Sequence, residues 1–298
     1  MNNLTEHKAG FVSIIGKPNA GKSTLMNQLV GERLSIITPK AQTTRHRVMG
    51  ILSGDNYQII YSDTPGIIEP KYELQKSMMS FVDFSLEDAD MILWVVDLTD
   101  QEGAERVLER LEKVDVPVLV ILNKMDTSDQ AKVVEAMAKW QEVFPKADMV
   151  VPVSATEKYN TETVMNWVLE KLPNHPPYYD KDELTDRPER FFASEMIREK
   201  VFELYSQEIP YSTEVVIESF KEEPTIIRIQ AVIYVERDSQ KGIIIGKGGE
   251  SLKRMATGAR KSMETFFGKK IFLETFVKVE KDWRSKDRFL KQFGYKLD

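Results

Sequence analysis

The stretch that decides the fold begins at Gly16 and reads Gly-Lys-Pro-Asn-Ala-Gly-Lys-Ser up to Ser23. It follows the pattern G-x-x-x-x-G-K-[ST], in which glycines let backbone N–H groups point inward at phosphate oxygens. The apolar run 11–15 before it predicts a buried strand, and apolar residues at helical spacing after Ser23 predict a helix. Strand, loop and helix in this order predict a phosphate-binding site in an α/β domain.

Each residue type in this loop has a role in holding a nucleotide. Lys22 is expected to reach the terminal phosphates, and the Ser23 hydroxyl is expected to bind Mg²⁺. The loop residues predicted to contact the nucleotide are Gly16, Asn19, Ala20, Gly21, Lys22, Ser23 and Thr24.

A second short sequence, Asp63-Thr64-Pro65-Gly66, ends the strand predicted over residues 58–62. Its carboxylate is expected to hold Mg²⁺ through water, and the Gly66 N–H is expected to contact the γ-phosphate. The same four residues would be an ordinary turn if they stood alone.

Two further sequences address the base. Asn123-Lys124-Met125-Asp126 follows the strand predicted over 116–122, and Ser154-Ala155 follows the strand predicted over 149–153. Asp126 can accept from the N1–H and N2–H₂ donors of guanine, which adenine does not present in that arrangement. Asn123 can brace the phosphate loop, the Lys124 stem can cover the base, and the Ser154-Ala155 backbone is expected near guanine O6.

Together these sequences resemble those of translation-factor-type GTPases, and the resemblance implies a mostly parallel sheet between helices. A threonine of that family closes over Mg²⁺ and the γ-phosphate, and the candidates here are Thr43 and Thr44, with Thr44 favoured. Lys22, Thr44, Gly66 and Asn19 are the predicted catalytic residues, and Ser23, Thr44 and Asp63 are the predicted metal ligands. Ile67 stands where many signalling GTPases have a water-orienting glutamine, and in GTPases of this type an asparagine such as Asn19 can help to bind K⁺.

Composition narrows the class of protein. The 298 residues include no cysteine, which excludes disulfides, zinc–thiolate sites and thiol nucleophiles and fits a reducing cytosol. Net charge is −6, but residues 1–180 carry 18 basic and 26 acidic side chains, while residues 241–298 carry 15 and 7. A basic region in an acidic chain predicts a localised contact with a polyanion. No segment reaches the length of a membrane span.

The chain is expected to divide into a nucleotide-binding domain over 1–172, a proline-rich linker over 173–188 and a second domain over 189–298. The second domain should begin with a helix at Glu189 and continue with a hairpin of strands over 213–220 and 226–235. A third strand over 270–279 and a closing helix over 283–293 are predicted to end it.

A second glycine motif, Gly246-Lys247-Gly248-Gly249, lies between an apolar helix-like segment and an amphipathic helix of the second domain. Two helices joined by G-x-x-G beside a three-stranded sheet resemble a type II KH domain, an α+β fold in which that loop approaches single-stranded nucleic acid. The predicted RNA-binding residues are Ile243, Ile245, Gly246, Lys247, Gly248, Gly249, Leu252 and Lys253.

The whole chain resembles the Era family of bacterial GTPases, on residues 16–23, 42–47, 123–126 and 243–249. The resemblance implies GTP and GDP as ligands with Mg²⁺ and K⁺ as cofactor ions, and binding near the 3′ end of 16S ribosomal RNA during assembly of the 30S subunit. The protein is expected to be monomeric and cytoplasmic, and peripheral contact with the inner face of the membrane stays open. The alternatives are a metabolic P-loop ATPase or kinase, which Asn123–Asp126 disfavours, and a membrane-recruited signalling GTPase. The basic C-terminal helix disfavours the latter, since it contains acidic residues and no lipidation cysteine.

Overall fold

A computed structural model describes residues 7–100 and 102–296. Residues 1–6, 101, 297 and 298, which the predicted domain ranges 1–172 and 189–298 include, lie outside the described residues. The chain forms two compact units. The second unit comprises Lys71–Ser77 and the chain from Arg187 onward, and the first comprises the remainder up to Asp186.

The first unit contains a six-stranded sheet in the order β2-β3-β1-β4-β5-β6, in which only β2 runs antiparallel to its neighbour. Its strands are β1 (Lys8–Gly16), β2 (Val48–Ser53), β3 (Tyr57–Asp63), β4 (Met91–Asp97), β5 (Val118–Asn123) and β6 (Met149–Pro152). The helices that precede Arg187 are α1 (Lys22–Val30), α2 (Glu73–Glu87), α3 (Glu105–Leu111), α4 (Gln130–Val143) and α5 (Thr161–Lys171). This mostly parallel sheet between helices is the predicted fold.

The strand register positions the site. β1 pairs in parallel with β3 on one side and with β4 on the other. The connections that leave the carboxyl end of β1 therefore lead to opposite sides of the sheet. Such a point in an α/β sheet is where ligands bind. The register places Ile14 opposite Asp63 and Asp97 opposite Asn123, which brings the predicted motifs to one edge. β4 and β5 are buried along their whole length, as expected of parallel strands covered on both faces.

The predicted linker over 173–188 is bound to the first unit along much of its length. Gln58, which is fully buried in β3, accepts hydrogen bonds from the Tyr178 and Tyr179 backbone N–H groups at 2.7 and 3.0 Å. Its Nε2 donates to the Tyr179 carbonyl at 2.9 Å, and the Ile51 N–H donates to the Leu184 carbonyl at 2.8 Å. We call residues 173–184 the strap, because these bonds hold it against β2 and β3.

The second unit has the predicted α+β architecture. Its sheet has the order β7-β8-β9, with β7 antiparallel and β9 parallel to β8. Its elements are α6 (Glu189–Leu204), β7 (Glu214–Glu222), β8 (Ile226–Val235), α7 (Asp238–Ile245), α8 (Glu250–Phe267), β9 (Lys270–Val279) and α9 (Asp287–Gln292). The helix–strand–strand–helix–helix–strand order confirms the type II KH prediction, and β8 and β9 begin and end where the sequence predicts.

The core of the second unit contains a charged pair that the apolar pattern did not reveal. Arg198 on α6 is 1 % exposed, and its guanidinium donates to both Glu195 carboxylate oxygens at 2.8 and 2.5 Å. Burial by itself would lower the pKa of Arg198, but the charge and hydrogen bonds of Glu195, together with the nearby Tyr295 and Glu214, hold that pKa above its usual value. Helix α6 is therefore buried on more than its apolar side, since charged residues one turn apart neutralise each other.

The prediction of one closing helix over 283–293 is wrong. The chain forms a short 3-10 turn at Trp283–Ser285, extends at Lys286 and only then begins α9. Asp282 precedes the turn in the left-handed region, with φ of 53°. The fully buried Trp283 indole donates to the Ser212 carbonyl at 2.9 Å, which fixes the ring and breaks the helical path.

Candidate functional site

A cavity of about 480 Å³ opens at the carboxyl edge of the first unit's sheet. Of the predicted nucleotide contacts, it is lined by Asn19, Gly21, Lys22, Ser23, Thr24, Thr44, Gly66, Asn123, Lys124 and Asp126. Five of the predicted contacts do not line the cavity: Gly16, Ala20, Asp63, Ser154 and Ala155. The cavity is open, and its lining combines hydroxyl, amide and charged side chains with the apolar Ile36 and Ile37.

The phosphate loop needs its glycine at position 21. Gly21 has φ of 97°, and a Cβ there would lie 2.1 Å from Nδ2 of Asn123. Only glycine satisfies both the left-handed backbone and this close approach. Lys22 follows as the first residue of α1, so the positive end of the helix dipole faces the cavity.

The Lys22 side chain is hydrogen-bonded to the backbone of this loop. Its Nζ donates to the Gly16 carbonyl at 3.2 Å and to the Lys17 carbonyl at 2.7 Å, and the residue is 5 % exposed. Burial lowers the pKa of Lys22 to about 8, and the nearby Asp63 carboxylate partly opposes this change. The ammonium group lacks a full counter-charge, which a phosphate would supply.

The three predicted metal ligands converge. The Ser23 hydroxyl donates to Asp63 Oδ2 at 2.6 Å and lies 2.9 Å from the Thr44 hydroxyl, which is itself 3.5 Å from Asp63 Oδ2. Burial raises the pKa of Asp63, although the Ser23 hydrogen bond and the Lys22 charge oppose that rise. Asp63 Oδ1 is buried and accepts no hydrogen bond from the part of the chain that the structure describes. This unsatisfied oxygen fits a cation or its bound water.

The structure distinguishes the two candidate threonines. The Thr43 hydroxyl donates to the Lys40 carbonyl at 2.7 Å and lies 2.6 Å from the Thr38 hydroxyl. It closes the loop on itself, whereas Thr44 faces Ser23 and Asp63.

Gly66 lies against the phosphate loop. It is buried and lines the cavity, and a Cβ there would lie 2.4 Å from the Pro18 nitrogen. The next residue, Ile67, donates its N–H to the Gly16 carbonyl at 3.0 Å and is 3 % exposed. The position that carries a glutamine in many signalling GTPases is thus occupied by a buried aliphatic side chain.

Asn123 joins the loops of the site. Its Nδ2 donates to the Ala20 carbonyl at 2.8 Å, and its Oδ1 accepts the Ala155 N–H at 3.0 Å. The Ser154 N–H is also engaged, since it donates to the Tyr159 carbonyl at 3.2 Å. The Ser154-Ala155 backbone is therefore occupied in holding loops, and its predicted contact with guanine O6 stays a prediction. From this loop it is Thr156 that lines the cavity.

The segment between α1 and β2 contributes residues that sequence reasoning missed. Ile36, Ile37 and Pro39 line the cavity. Asn27 of α1 fixes the start of this segment, because its Oδ1 accepts the Leu34 and Ser35 N–H groups, each at 3.0 Å.

The second predicted site lies in the KH-like unit. Gly246, Gly248 and Gly249 have φ of 72°, 61° and 82°, which form a tight loop that starts α8. Lys247 is exposed, and Ile243 of α7 is 52 % exposed. Exposed apolar and basic side chains beside an open backbone suit a nucleic-acid strand.

A cleft of about 570 Å³ runs beside this loop. Of the predicted RNA-binding residues, Ile245 and Leu252 line it, and Lys253 lies exposed near the start of α8. The opposite wall comes from β9, where the sequence analysis named no contact: Thr275 and the 49 % exposed Phe276 line it. The strand pattern alone did not reveal which face of β9 borders the loop.

Known protein families match a part of each unit. Residues 11–124 match a family described as 50S ribosome-binding GTPase, and residues 208–284 match the KH domain family. GTPase Era of Staphylococcus haemolyticus is 43 % identical over 295 residues, which cover 98 % of each chain. The chain belongs to the Era family of GTPases.

Solved structures of this family superpose on the whole chain. A crystal structure of Era in complex with MgGDPNP and nucleotides 1506–1542 of 16S ribosomal RNA is 39 % identical, with a TM-score of 0.94 over 98 % of this chain and 100 % of that one. An Aquifex aeolicus Era variant bound to GDP and AlF₄⁻ has a TM-score of 0.93 at 39 % identity, over 97 % of this chain and 100 % of that one. Within residues 7–100 and 102–296, no helix is both long and apolar enough to cross a membrane.

The lowered pKa of Lys22 predicts proton uptake on nucleotide binding. With a pKa of about 8 in the free protein, Lys22 is largely deprotonated at pH 8.5. The phosphates favour the ammonium form, so the pKa rises on binding and a proton is taken up. Calorimetry of GDP binding at pH 8.5, in two buffers of different ionisation enthalpy, should give different enthalpies that report this uptake.

The control is the same titration at pH 7.0, where Lys22 already carries its proton and the uptake should shrink. Identical enthalpies in both buffers at pH 8.5 would contradict the assignment of Lys22 as a phosphate ligand.

Proposed function

We propose that this Era-family GTPase is a GTP-controlled RNA-binding protein that assists assembly of the small ribosomal subunit. The convergence of Ser23, Thr44 and Asp63 beneath the phosphate loop carries the proposal. That cluster links the loop before β2 to the state of the nucleotide, because Thr44 belongs to that loop. A second motif with the geometry of an RNA-binding loop stands in the same chain.

The phosphates bind at the start of α1. Lys22, whose Nζ donates to the Gly16 and Lys17 carbonyls, would exchange these partners for phosphate oxygens. Gly66 lies where its N–H can donate to the γ-phosphate. These donors stabilise the negative charge that develops as water displaces GDP from the γ-phosphoryl group.

Mg²⁺ is the ion that these side chains fit. Oxygen atoms are its preferred ligands. In nucleotide sites it typically retains several water ligands and binds phosphate oxygens and one or two side chains. Ser23 and Thr44 would hold it directly, and Asp63 would accept from its water through the unsatisfied Oδ1. When bound, Mg²⁺ neutralises charge on the β- and γ-phosphates.

Thr44 then couples the nucleotide to the loop. With GTP bound, the Thr44 hydroxyl and the Gly66 N–H both have partners near the γ-phosphate. After hydrolysis those partners leave, and the loop around residues 38–44 loses part of what orders it. This order–disorder change is the switch that we propose controls binding to RNA.

Guanine is selected by Asp126. Its carboxylate lies on a 3-10 turn at the cavity, where it can accept two hydrogen bonds from the base edge. Asn123 fixes the turn relative to the phosphate loop, and this sets the distance between base and phosphate subsites.

Asn19 is proposed to take part in a K⁺ site. Its Nδ2 donates to the Pro39 carbonyl at 3.0 Å, which fixes the orientation of the amide at the cavity and leaves its neutral Oδ1 as the candidate ligand. A neutral amide oxygen suits a monovalent cation. When bound there, K⁺ supplies positive charge that the buried Ile67 cannot provide.

The RNA-binding surface is the loop Gly246–Gly249 with its flanking helices. Its support is the exposed Lys247, the open backbone of Gly248 and Gly249, and the apolar Ile245 and Leu252 in the adjoining cleft. The Era structure in complex with nucleotides 1506–1542 of 16S ribosomal RNA favours that RNA as the ligand. This relation covers the whole chain, so we prefer the small subunit over the 50S particle named for the partial match to residues 11–124. We propose a cytoplasmic location on the strength of this ribosomal role.

The guanine assignment predicts the effect of Asp126→Asn. The amide loses one of the two acceptor positions for guanine and gains a donor that suits the 2-carbonyl of xanthine. GTP affinity should fall about 100-fold, with a gain for xanthosine triphosphate, since hydrogen bonds to charged groups are strong. Fluorescent-nucleotide competition measures both constants.

The matched control is Asp129→Asn, which removes the same charge from the residue that caps α4. It should leave the GTP affinity unchanged. Equal GTP affinities for Asp126→Asn and the unmodified protein would reject the base assignment, and a preference for ATP would reject the guanine site altogether.

The K⁺ proposal predicts faster hydrolysis in potassium than in sodium at equal ionic strength. Charge at the transition state is worth about tenfold or more in rate, so turnover should rise by at least that factor. Asn19→Ala should abolish the difference and leave GDP affinity within about threefold, since backbone groups hold the diphosphate. Equal rates in the two salts count against the site.

The RNA proposal predicts the effect of Lys247→Asp combined with Gly248→Asp. Two carboxylates in the loop repel phosphates, so affinity for a single-stranded oligonucleotide from the 3′ end of 16S RNA should fall about 30-fold or more. Lys221→Asp with Thr225→Asp at the exposed β7–β8 turn carries the same charge change and should bind normally. Fluorescence anisotropy measures binding, and GTP turnover without RNA should be unaffected. Normal binding by the loop variant would refute the proposal.

A further inference from the structure

The turn that follows β4 lies beside the base-binding loop. Asp97 ends β4 and pairs in register with Asn123 on β5, and the Leu98 N–H donates to the Asn123 carbonyl at 3.1 Å. The Asp100 N–H closes the turn on the Asp97 carbonyl at 3.3 Å. This arrangement places the Asp97 side chain one residue away from Lys124 across the sheet.

The two oxygens of the Asp97 carboxylate have different partners. Oδ1 accepts the Thr99 N–H at 2.8 Å and the Thr99 hydroxyl at 2.6 Å. Oδ2 accepts from Lys124 Nζ at 2.5 Å. Because Thr99 holds one oxygen, the other is oriented toward the lysine, and the Asp97 side chain is only 10 % exposed. A largely buried, oriented carboxylate makes a stronger ion pair than an exposed one.

Lys124 is constrained at both ends. Its backbone is left-handed, with φ of 66° and ψ of 33°, and its ammonium is held by Asp97. Between these points its side chain lines the cavity next to Asp126. Asp97 does not line the cavity, so it can act on a ligand only through Lys124.

We propose that Asp97 is a positioning residue for guanine-nucleotide binding, which fixes the Lys124 stem along the cavity wall so that it lies against the base. The proposal rests on the assignment of this cavity to a guanine nucleotide. An unclamped lysine loses rotamer freedom when it packs on a ligand, whereas the clamp imposes that loss before the ligand arrives. Asp97 also neutralises the ammonium and keeps it away from the phosphates.

The same turn contains a second ion pair, Asp100–Lys17, which differs from Asp97–Lys124 in its exposure to water. Asp100 pairs with Lys17 at 2.9 Å, but its side chain is 59 % exposed, so water and salt screen that pair. The Asp97–Lys124 pair is shorter and much less exposed on its acidic side. It is therefore the pair expected to influence ligand binding.

The test is Asp97→Asn in the full chain. The amide oxygen can still accept from Thr99, but the charge that holds Lys124 is lost. The dissociation constants for GDP and for a non-hydrolysable GTP analogue should both rise about five- to tenfold. The single-turnover hydrolysis rate of bound GTP should not change, because Asp97 does not approach the γ-phosphate. This split between affinity and rate distinguishes positioning from general loss of structure.

A double-mutant cycle tests whether Asp97 acts through Lys124. Lys124→Met keeps the apolar stem but removes the ammonium, so adding Asp97→Asn to it should weaken GDP binding no further. Asp83→Asn is the matched control. It removes one charge from the exposed ion pair between Asp83 of α2 and Arg110 of α3, and this variant should bind GDP as tightly as the unmodified protein does.

Additive effects in the cycle, or an Asp97→Asn variant with unchanged GDP affinity, would overturn the proposal. If thermal melting shows that Asp97→Asn does not fold, Thr99→Val removes one donor that orients Oδ1 at an exposed position and should weaken GDP binding about twofold to threefold. Unchanged affinity in that variant would then overturn it. Failure of the unmodified protein to bind GDP would instead reject the nucleotide site itself.

Discussion

The site depends on one side-chain amide, that of Asn123. It donates to the phosphate loop at Ala20, accepts from the base-side loop at Ala155, and belongs to the loop that carries Asp126. Three loops held by one planar group cannot move independently. The close approach explains why residue 21 must be glycine, since a Cβ there would occupy the position of the amide nitrogen. The distance between the phosphate and base subsites is thus fixed by a group 3 % exposed, at the end of a fully buried strand.

The second constraint is electrostatic. Lys22 and Asp63 are both buried at the same edge of the sheet, and burial disfavours the charged form of each. Neither is fully compensated: the lysine relies on two backbone carbonyls, and one carboxylate oxygen has no hydrogen bond in the described chain. A nucleotide with its cation supplies both missing partners, with negative charge for Lys22 and a cation shell for Asp63. Part of the binding free energy therefore comes from relieving costs that folding imposed.

The sequence predicts a structural feature well when neighbouring residues determine it, and poorly when residues distant in sequence do. The strand, loop and helix around residues 16–23, the position of each motif at the end of a strand and the KH-like element order follow from spacing and period, and the structure has them, although most strands begin or end one to three residues from the predicted bounds. The difference between Thr43 and Thr44 is not local, because both are threonines in one polar loop. It depends on Thr38 lying within reach of the first and Asp63 within reach of the second. The split of the closing helix was missed for the same reason, since Trp283 is fixed by a carbonyl 71 residues away in sequence.

The strap illustrates a further limit. Prolines and charges over residues 173–188 predict an extended connection, and composition says nothing about what such a segment lies against. The deciding residue is Gln58, a polar side chain in the middle of an apolar strand, whose amide satisfies three backbone groups of the strap. A buried polar residue in a strand pattern is a recognisable signal that a distant backbone must come to it.

The strap also limits the movement of the loop before β2, which contains Thr44. β2 begins four residues after Thr44, and as an edge strand it would expose one row of backbone groups. β3 binds one side of it over six residue pairs, and Leu184 of the strap accepts the outward Ile51 N–H on the other. A strand held on both edges resists displacement, so the conformational freedom of the loop ends at its junction with β2. The loop is tethered at its start by Asn27, which holds the Leu34 and Ser35 N–H groups, and at its end by β2. The rearrangement that we propose on loss of the γ-phosphate would therefore fall within residues 36–47 between these anchors.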